Sequence, residues 1–433
     1  MKTLQAITLG CSKNTVDTEH LLAQVSGSYE FVPEEDSKTP VDVAVINTCG
    51  FIGDAKQESI DVILETVQRK ERGEVGKIFV FGCLSQRYAS SLPELIPEVD
   101  AWFGARELGP LVLALGCQPS KEKETERILT SGRPGTACIK ISEGCDRRCS
   151  YCAIPLIRGP HKSVPMETIL QEARALAASG VKELVLIAQD TTYYGLDLYK
   201  KRALGELLGK LSGIEGIEWL RIHYSYPAGF PDDVLEQMAR NPKVCPYLDI
   251  PLQHISDPVL RKMRRPENSA WNRALVRRLR EEVPGVVLRT TMMVGHPGEG
   301  EDEFAELMDF VREARFERLG AFTYSEEEGT YGADNFADEV PEEVKQSRYD
   351  ALMELQNGIS LDFNLSRVDT RERVLIDGIS GGYYICRSRF ESPEVDGEIL
   401  VACGSEPDLS LVGNFADVRI VEADDYDLIA EFI

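Results

Sequence analysis

Three cysteines, Cys145, Cys149 and Cys152, stand close together in the segment SEGCDRRCSYC. An iron-sulfur cluster of the cubane type is normally held by four thiolates, so three thiolates leave one iron without a protein ligand. The alternative is a zinc site, but zinc takes four ligands and no histidine lies near enough in the sequence to complete the set. The spacing therefore predicts a 4Fe-4S cluster with one iron open for chemistry.

A second set of cysteines, Cys11, Cys49 and Cys83, is spread over the first part of the chain. Each follows an apolar run that is typical of a buried strand: LQAITLG, VDVAVINT and KIFVFG. A single cysteine after a strand is more often a buried structural residue than a ligand. Three of them at equivalent strand ends would meet at one edge of a parallel sheet. The repetition predicts a second cluster with an open iron, where external sulfur could bind.

Helical patterns alternate with these apolar runs, in TVDTEHLLAQVSG and AKQESIDVILETVQRKERG. Strand-helix-strand repeats build a parallel sheet, and such sheets bind ligands at the carboxyl ends of their strands. We therefore predict an α/β fold for the chain, beginning with an N-terminal parallel-sheet domain over residues 1–120 that carries the second cluster.

The alternation resumes near Ala137, after a linker rich in charged and small residues. Six further strands are predicted, in CIKISE, ELVLIAQD, IEWLRIHYS, YLDIPLQ, VVLRTTMMVG and RLGAFTYS. Six βα units fall short of the eight that close a barrel. The pattern predicts an open, partial (βα)6 barrel over residues 131–366, with Cys145, Cys149 and Cys152 on the loop after its first strand.

The last part of the chain, residues 367–433, is rich in turns and short strands, which predicts a small β-barrel. It holds six arginines and fifteen acidic residues, a net charge of -9, within a chain of formal charge -24. This negative charge disfavours binding of the protein to a nucleic acid over a large surface and favours a basic partner. An acidic composition can also simply keep a protein soluble. The basic segment RKMRRPENSAWNRALVRRLR could touch RNA, but a helix face that balances acidic neighbours explains it better.

The Cys-x-x-x-Cys-x-x-Cys spacing at the first strand of a partial barrel resembles the radical S-adenosylmethionine superfamily. This resemblance implies that S-adenosylmethionine chelates the open iron through its amino and carboxylate groups. An electron from the cluster would then cleave it to methionine and a 5′-deoxyadenosyl radical, which abstracts hydrogen from the substrate. In such enzymes the cofactor carries the difficult step and the protein positions it.

The two cysteine sets together, with LGCSKNTVDTEH, INTCGFIGDAKQES and FGCLSQRY, resemble the methylthiotransferases over the whole chain. That family has an N-terminal methylthiotransferase domain, a radical S-adenosylmethionine core and a terminal TRAM domain that recognises substrate. The resemblance implies that Cys11, Cys49 and Cys83 ligate an auxiliary 4Fe-4S cluster. Cys145, Cys149 and Cys152 would ligate the cluster that generates the radical.

Within the family, LGCSKN, SEGCDRRCSYCAIPLIRG, AQDTTYYG and LDIPLQHISDPVLRKMRRP resemble the RimO branch. This implies methylthiolation of the β-carbon of an aspartate in small-subunit ribosomal protein twelve, free or on the ribosome, with a reductant such as flavodoxin. The alternative is a MiaB-like tRNA adenosine methylthiotransferase with the same chemistry. A non-enzymatic iron-sulfur carrier is a third hypothesis, but it leaves the barrel and the acidic tail unexplained.

Four further residues are candidates for contact with S-adenosylmethionine. Gln189 and Asp190 end the second strand of the predicted barrel, and Gly295 and Gly298 belong to the turn GHPGE after the fifth strand. Glycine turns allow close approach of backbone to a cofactor, although this turn could also simply end the strand. We predict no catalytic side chain beyond these cofactor ligands.

The composition sets the cellular context. No apolar stretch reaches the length of a membrane helix, and the first residues lack a signal-peptide core. Eleven cysteines in such a chain indicate metal or redox chemistry rather than disulfides. We therefore expect a cytoplasmic protein with no membrane partner.

Overall fold

The first part of the chain folds into a five-stranded parallel sheet with helices on both faces. The computed structural model describes residues 1–36, 38–404 and 406–433. The strands, in the spatial order β2-β1-β3-β4-β5, are β1 (Lys2–Thr8), β2 (Tyr29–Val32), β3 (Val41–Thr48), β4 (Val75–Gly82) and β5 (Ala101–Trp102). The helices are α1 (Ser12–Val25), α2 (Gly53–Glu71), α3 (Cys83–Arg87), α4 (Leu92–Leu95) and α5 (Leu108–Ala114).

This sheet is buried on both faces, which explains why its central strands are apolar almost throughout. In β3, Val43 and Val45 pack into one core with Leu21 of α1, whereas the alternating Ile46 packs into another with Ile63 of α2. The direction of strand order reverses between β1 and β3, and ligands bind at such switch points, outside the carboxyl ends of the strands. The sequence predicted β1, β3 and β4 and missed the short strands β2 and β5.

The middle of the chain forms a second parallel sheet of six strands. In chain order they are β6 (Thr136–Lys140), β9 (Glu183–Ile187), β10 (Trp219–Ile222), β11 (Val244–Asp249), β12 (Val287–Val294) and β13 (Arg318–Thr323). A short pair, β7 (Ser142–Glu143) and β8 (Lys162–Ser163), lies beside it. In the described part of the chain β6 and β13 do not pair, so the prediction of an open six-stranded barrel is confirmed.

Helices connect these strands and cover one side of the sheet. They are α6 (Ile154–Arg158), α7 (Met166–Ala178), α8 (Leu196–Tyr199), α9 (Leu204–Ser212), α10 (Asp232–Arg240), α11 (Asp257–Lys262), α12 (Ser269–Glu282), α13 (Glu301–Ala314) and α14 (Tyr331–Asn335). The largest apolar core of the molecule lies between this layer and the sheet. The side chains at the carboxyl ends of the strands are thereby fixed on a rigid frame.

The long helix α15 (Glu342–Leu365) leads into the last part of the chain. There β14 (Arg371–Ser380), β15 (Tyr383–Arg387), β16 (Ile399–Ala402), β17 (Phe415–Ala423) and β18 (Leu428–Phe432) close into a barrel in the order β14-β15-β16-β18-β17. Its interior is filled by apolar side chains such as Val374, Val401 and Val418. The small β-barrel predicted from the sequence is confirmed, while the exact domain bounds stay a prediction.

Within the described ranges, none of the helices combines the length and the apolarity that crossing a membrane requires.

A buried ion network ties the C-terminal barrel to the six-stranded sheet. Glu183, which is fully buried in β9, accepts hydrogen bonds from Arg221 of β10 and Arg387 of β15, both at 2.8 Å. Burial alone raises the pKa of Glu183, but the two guanidinium groups outweigh it and lower the pKa to about 2. Glu183 is therefore ionised at pH 7.

Replacing this carboxylate tests how strongly the two domains depend on it. Glu183→Gln leaves two buried arginines without their shared anion, so we expect the free energy of unfolding at pH 7 to fall by about 3 kcal/mol or more. Denaturant unfolding measures this. The control Glu206→Gln, in an exposed pair with Lys201 and Lys210, should cost less than about 1 kcal/mol.

The same carboxylate predicts a dependence on pH. Its pKa is lowered by folding, so its contribution is complete above the ordinary value of 4.5 and is lost as the pH falls towards 2. Between these values the wild-type protein should lose stability more steeply than Glu183→Gln. Equal slopes for the two proteins would contradict the assignment.

Candidate functional site

Cys145, Cys149 and Cys152 lie together on the loop between β7 and α6. The backbone N–H of Cys145 donates to the carbonyl of Gly159 at 3.0 Å, and that of Cys152 donates to Cys149 at 3.2 Å. The loop therefore curls back on itself, and all three side chains remain partly exposed. Burial raises the pKa of Cys145 to about 12, so binding of a metal must displace its proton.

Close packing fixes the ends of this loop. Gly144 has a φ of +78°, and any Cβ there would overlap the carbonyl of Pro160. Ser150, in the middle of the loop, donates its N–H to Met263 at 3.0 Å and accepts a hydrogen bond from Gly332 at 2.7 Å. The three thiols thus sit on a braced loop at the carboxyl end of the sheet, with the freedom to wrap a cluster.

Gln189 and Asp190 both reach the cysteine loop from the end of β9. The Gln189 amide donates to Glu143 at 2.8 Å, and Asp190 accepts a hydrogen bond from Arg147 at 2.9 Å. Within the described residues, the buried Oε1 of Gln189 and Nη2 of Arg147 have no hydrogen-bond partner. Such orphaned atoms suit a polar cofactor beside Cys145. Binding of S-adenosylmethionine by Gln189 and Asp190 stays a prediction.

Gly295 and Gly298 lie directly after β12, and both have positive φ, at +76° and +93°. A Cβ on Gly295 would overlap the side chain of Lys345, and one on Gly298 would lie 2.7 Å from that of Lys262. The glycines are therefore required by packing within this chain. Between them, His296 lies 3.4 Å from Ser150 of the cysteine loop, so the turn borders the site. Contact of the two glycines with S-adenosylmethionine stays a prediction.

Cys11, Cys49 and Cys83 meet at the switch point of the first sheet. Cys11 precedes α1, Cys49 follows β3, and Cys83 begins α3 directly after β4, whose last residue pairs in register with the last residue of β3. A Cβ on Gly10, which has a φ of +93°, would lie only 2.8 Å from the Cβ of Cys49. Glycine at this position lets the first two loops approach each other.

Asn14 holds the three loops in place. Its buried side chain donates to the carbonyl of Leu9 at 2.7 Å and to that of Thr48 at 3.1 Å, the residues just before the Cys11 and Cys49 turns. Its Oδ1 lies 3.9 Å from the Sγ of Cys83. One side chain therefore contacts all three cysteine-bearing segments.

Arg158, at the end of α6, connects the two cysteine sets. Its buried guanidinium donates to the Sγ of Cys83 at 3.2 Å, to Asn14 at 2.6 Å, to Asp17 at 2.9 Å and to Glu143 at 3.2 Å. Burial raises the pKa of the Cys83 thiol to about 11, and the guanidinium opposes this rise.

Glu143 links Arg158 to the loop that holds Cys145, Cys149 and Cys152. It precedes Cys145 by two residues and accepts hydrogen bonds from Lys140, Arg158 and Gln189. Burial raises its pKa, but Lys140 and Arg158 outweigh this and lower the pKa to about 2. A continuous polar chain therefore runs from Cys83 through Arg158 and Glu143 to Gln189.

The chemistry of the two donor sets, three thiols each, is compatible with iron-sulfur clusters. Among the described residues, no three histidine, cysteine, aspartate or glutamate side chains form a site for one metal ion. Ligands of one ion share a single coordination sphere, whereas three thiolates of a cubane bind three different irons and stand farther apart. Two groups of three cysteines, each at the carboxyl end of a parallel sheet, suit the second arrangement.

Sequence reasoning found the cysteines but gave no role to the residues that position them. Asn14, Glu143 and Arg158 all lie inside motifs that were singled out, LGCSKN and SEGCDRRCSYCAIPLIRG. A carboxylate and an arginine flanking the cysteines are the one signal that the sequence offered. Of the eight basic residues in the segment 261–280, four form ion pairs: Arg265 with Glu267, Arg273 with Glu313, Arg278 with Glu282, and Arg280 with Glu317.

Comparison with known protein families agrees with this architecture. Residues 3–104 match the Uncharacterized protein family UPF0004, residues 139–311 match the Radical SAM superfamily, and residues 368–433 match the TRAM domain. The chain is thus a radical S-adenosylmethionine enzyme, a class that implies a 4Fe-4S cluster and S-adenosylmethionine as cofactors.

Relatives that align with the whole chain identify the family within this class of enzymes. Ribosomal protein uS12 methylthiotransferase RimO of Bacteroides fragilis is 52% identical over 432 residues, which cover 100% of this chain and 99% of the relative. The protein of the same name from Bacteroides thetaiotaomicron is 51% identical over 100% of this chain and 98% of its own length. The chain belongs to the RimO family of radical S-adenosylmethionine methylthiotransferases.

Solved structures share the fold at low sequence identity. The radical S-adenosylmethionine methyltransferase TsrM from Kitasatospora setae aligns with a TM-score of 0.56 and 12% identity over 89% of this chain and 77% of its own. The cobalamin-dependent radical enzyme OxsB aligns with a TM-score of 0.54 and 14% identity over 83% of this chain and 56% of its own. At these identities the likeness concerns the fold alone.

The central role of Asn14 can be tested without any cofactor. Asn14→Ala removes the hydrogen bonds that the side chain makes with the carbonyls of Leu9 and Thr48 and with Nη2 of Arg158, so we expect the metal-free protein to lose about 2 to 4 kcal/mol of its free energy of unfolding. Denaturant unfolding measures the loss. The exposed Asn335, whose amide donates to Tyr331 within α14, offers the control Asn335→Ala, with an expected change below about 0.5 kcal/mol. Similar losses for both variants would contradict the role of Asn14.

Proposed function

We propose that this chain methylthiolates the β-carbon of an aspartate in ribosomal protein uS12. The observation that carries the proposal is the pair of three-cysteine sets, joined by Arg158, in a chain whose RimO relatives align from end to end. One set alone would be compatible with many radical reactions. Two sets at one junction suit a reaction that must combine hydrogen abstraction with delivery of sulfur.

Cys145, Cys149 and Cys152 would hold the first cluster, and Cys11, Cys49 and Cys83 would hold a second 4Fe-4S cluster. When bound, these groups and S-adenosylmethionine supply reductive cleavage, hydrogen abstraction and a methylated sulfur for transfer. Gln189 and Asp190 orient polar groups beside Cys145 through their contacts with Glu143 and Arg147. Glycine turns and buried packing keep the loops in place.

Arg158 contributes a positive charge at the junction. Its hydrogen bond to Cys83 places a buried cation against a proposed cluster ligand, and such a bond stabilises negative charge on the sulfur. Asp17 and Glu143 hold the guanidinium in that orientation. The same side chain thereby fixes the separation of the two cysteine sets.

The acidic C-terminal barrel supports a basic protein substrate. Its net charge of -9 would attract a ribosomal protein and repel a phosphate backbone. This favours uS12 over tRNA, the alternative substrate of methylthiotransferases. We place the reaction in the cytoplasm, with a small electron carrier such as flavodoxin as the reductant and uS12 either free or on the ribosome.

Removal of each cysteine set separates the two proposed roles. We expect about eight irons per wild-type chain after anaerobic reconstitution and about four in each triple alanine variant. The variant lacking Cys11, Cys49 and Cys83 should still cleave S-adenosylmethionine but add no methylthio group. The variant lacking Cys145, Cys149 and Cys152 should do neither. Iron analysis and product chromatography measure both properties, and a wild-type chain with four irons would contradict the second cluster.

The substrate is tested by supplying both candidates to the same enzyme. Reduced, reconstituted protein should add one methylthio group to the aspartate of uS12, seen by tandem mass spectrometry of the digested protein. In a parallel reaction, tRNA that carries the modified adenosine but no methylthio group should gain no label from S-adenosylmethionine. Label in tRNA alone would overturn the uS12 assignment and support the alternative.

A further inference from the structure

A cavity of about 280 Å³ lies where the three domains meet, and among the described residues two carboxylates line it, Glu19 and Glu394. Glu19, in α1, forms an ion pair with Arg127, and both of these side chains are only 2% exposed. Glu394 lies in the loop between β15 and β16 of the C-terminal barrel, and its side chain is 54% exposed. Of the two carboxylates, Glu394 is therefore the one that an incoming group can reach.

Arg133, which precedes the six-stranded sheet, pairs with Glu394 in this structure. Its Nη1 lies 2.8 Å from Oε1 of Glu394, and its Nε lies 3.6 Å from Oδ2 of Asp377 in β14. The Arg133 and Glu394 side chains are 26% and 54% exposed, and ion pairs that are open to solvent contribute little to stability. If another cation took Glu394, Arg133 would still have Asp377 as a partner. The pair can therefore be exchanged at low cost.

The loop that carries Glu394 is fixed on both sides. The N–H of Ser392 donates to Asp396 at 2.8 Å, and the Ser392 hydroxyl contacts Nε2 of His223, which follows β10. The hydroxyl of Tyr247 in β11 donates to Asp396 at 2.6 Å. Between these contacts Glu394 has a φ of +72°, a conformation that is costly for residues other than glycine. Strain of this kind concentrates at functional sites. Here it holds the carboxylate at the edge of the cavity.

Apolar groups stand beside this carboxylate. Val395 is 44% exposed, and it lines the cavity together with Pro393. Lysine and arginine have long apolar stems that pack on such surfaces, while their charged ends reach water or an anion. An exposed valine next to an exposed carboxylate thus matches both parts of a basic side chain. Cys11 lines the same cavity, so a protein segment whose basic residue binds here would bring its neighbouring residues close to a proposed cluster ligand.

We propose that Glu394 and Val395 bind a lysine or arginine that lies close to the target aspartate, and that they select substrate segments with such a basic residue. This inference rests on the proposed function, since it assigns how that reaction chooses its aspartate. Substrate binding exchanges one ion pair for another, because the incoming cation replaces Arg133 at Glu394 and Arg133 keeps Asp377. Glu394 determines specificity and takes no part in the chemistry.

Charge reversal on both partners tests this inference. The enzyme is the full-length, reconstituted protein, and the probes are labelled uS12 segments centred on the target aspartate. In a series of probes, each lysine or arginine of the segment is replaced in turn by glutamate. We expect Glu394→Gln to raise the dissociation constant of the unaltered probe about three- to tenfold. For one probe of the series the order should reverse, so that Glu394→Lys binds it more tightly than the wild type does.

A matched control separates this local contact from the overall charge. Glu431 is an exposed carboxylate of the same barrel that also pairs with an arginine, Arg419, at 3.1 Å. Glu431→Gln changes the net charge equally and should leave the dissociation constants unchanged. Added salt should reduce the difference between the wild type and Glu394→Gln, because it screens exposed charges. With uS12 as substrate, Glu394→Gln should raise KM and leave kcat unchanged. Equal losses in Glu431→Gln and Glu394→Gln, or a series without a reversed probe, would overturn the inference.

The activity of the wild-type enzyme distinguishes this inference from the proposed function. If the wild type modifies uS12 and Glu394→Gln binds every probe as the wild type does, the role of Glu394 is wrong and the function stands. If the wild type modifies no ribosomal protein, the proposed function fails and the inference fails with it.

Discussion

The guanidinium of Arg158 is the contact on which the geometry of this site depends. It is buried at the boundary between two parallel sheets, and it bonds to a cysteine of one set and to the carboxylate that precedes the other. A buried cation is costly unless its charge and its donors are matched. Asp17, Glu143 and Asn14 provide that match from both sides of the boundary, so the two domains cannot shift without breaking it.

The same principle recurs where the C-terminal barrel meets the six-stranded sheet. Glu183 lies between Arg221 and Arg387, one from each domain. Polar networks of this kind favour one relative orientation, because any other leaves buried charges unpaired. All three domains line the cavity beside Cys11.

Much of this architecture could be predicted from the sequence because its signals are local. Apolar runs such as VDVAVINT predict buried strands by composition alone, and each predicted strand that carries a cysteine was found where expected. The open six-stranded sheet followed from counting βα units. The short strands β2 and β5 were missed because four and two residues carry too little pattern.

The residues that position the cysteines could not be predicted in the same way. Arg158 and Cys83 are far apart in the chain, and only folding brings them to 3.2 Å. For Gly295 and Gly298 the sequence suggested contact with a cofactor. In the structure, the atoms nearest to a Cβ at these two positions belong to lysine side chains of the same chain. Long-range contacts decide these roles, and a single sequence does not contain them.

The central claim is that the two cysteine sets hold two clusters close together across the Arg158 junction. Electron paramagnetic resonance of the fully reduced, reconstituted protein tests it most directly, because nearby paramagnetic clusters split and broaden each other's signals. We expect a wild-type spectrum that differs from the sum of the spectra of two proteins that each retain one cysteine set. A wild-type spectrum equal to that sum would contradict the account.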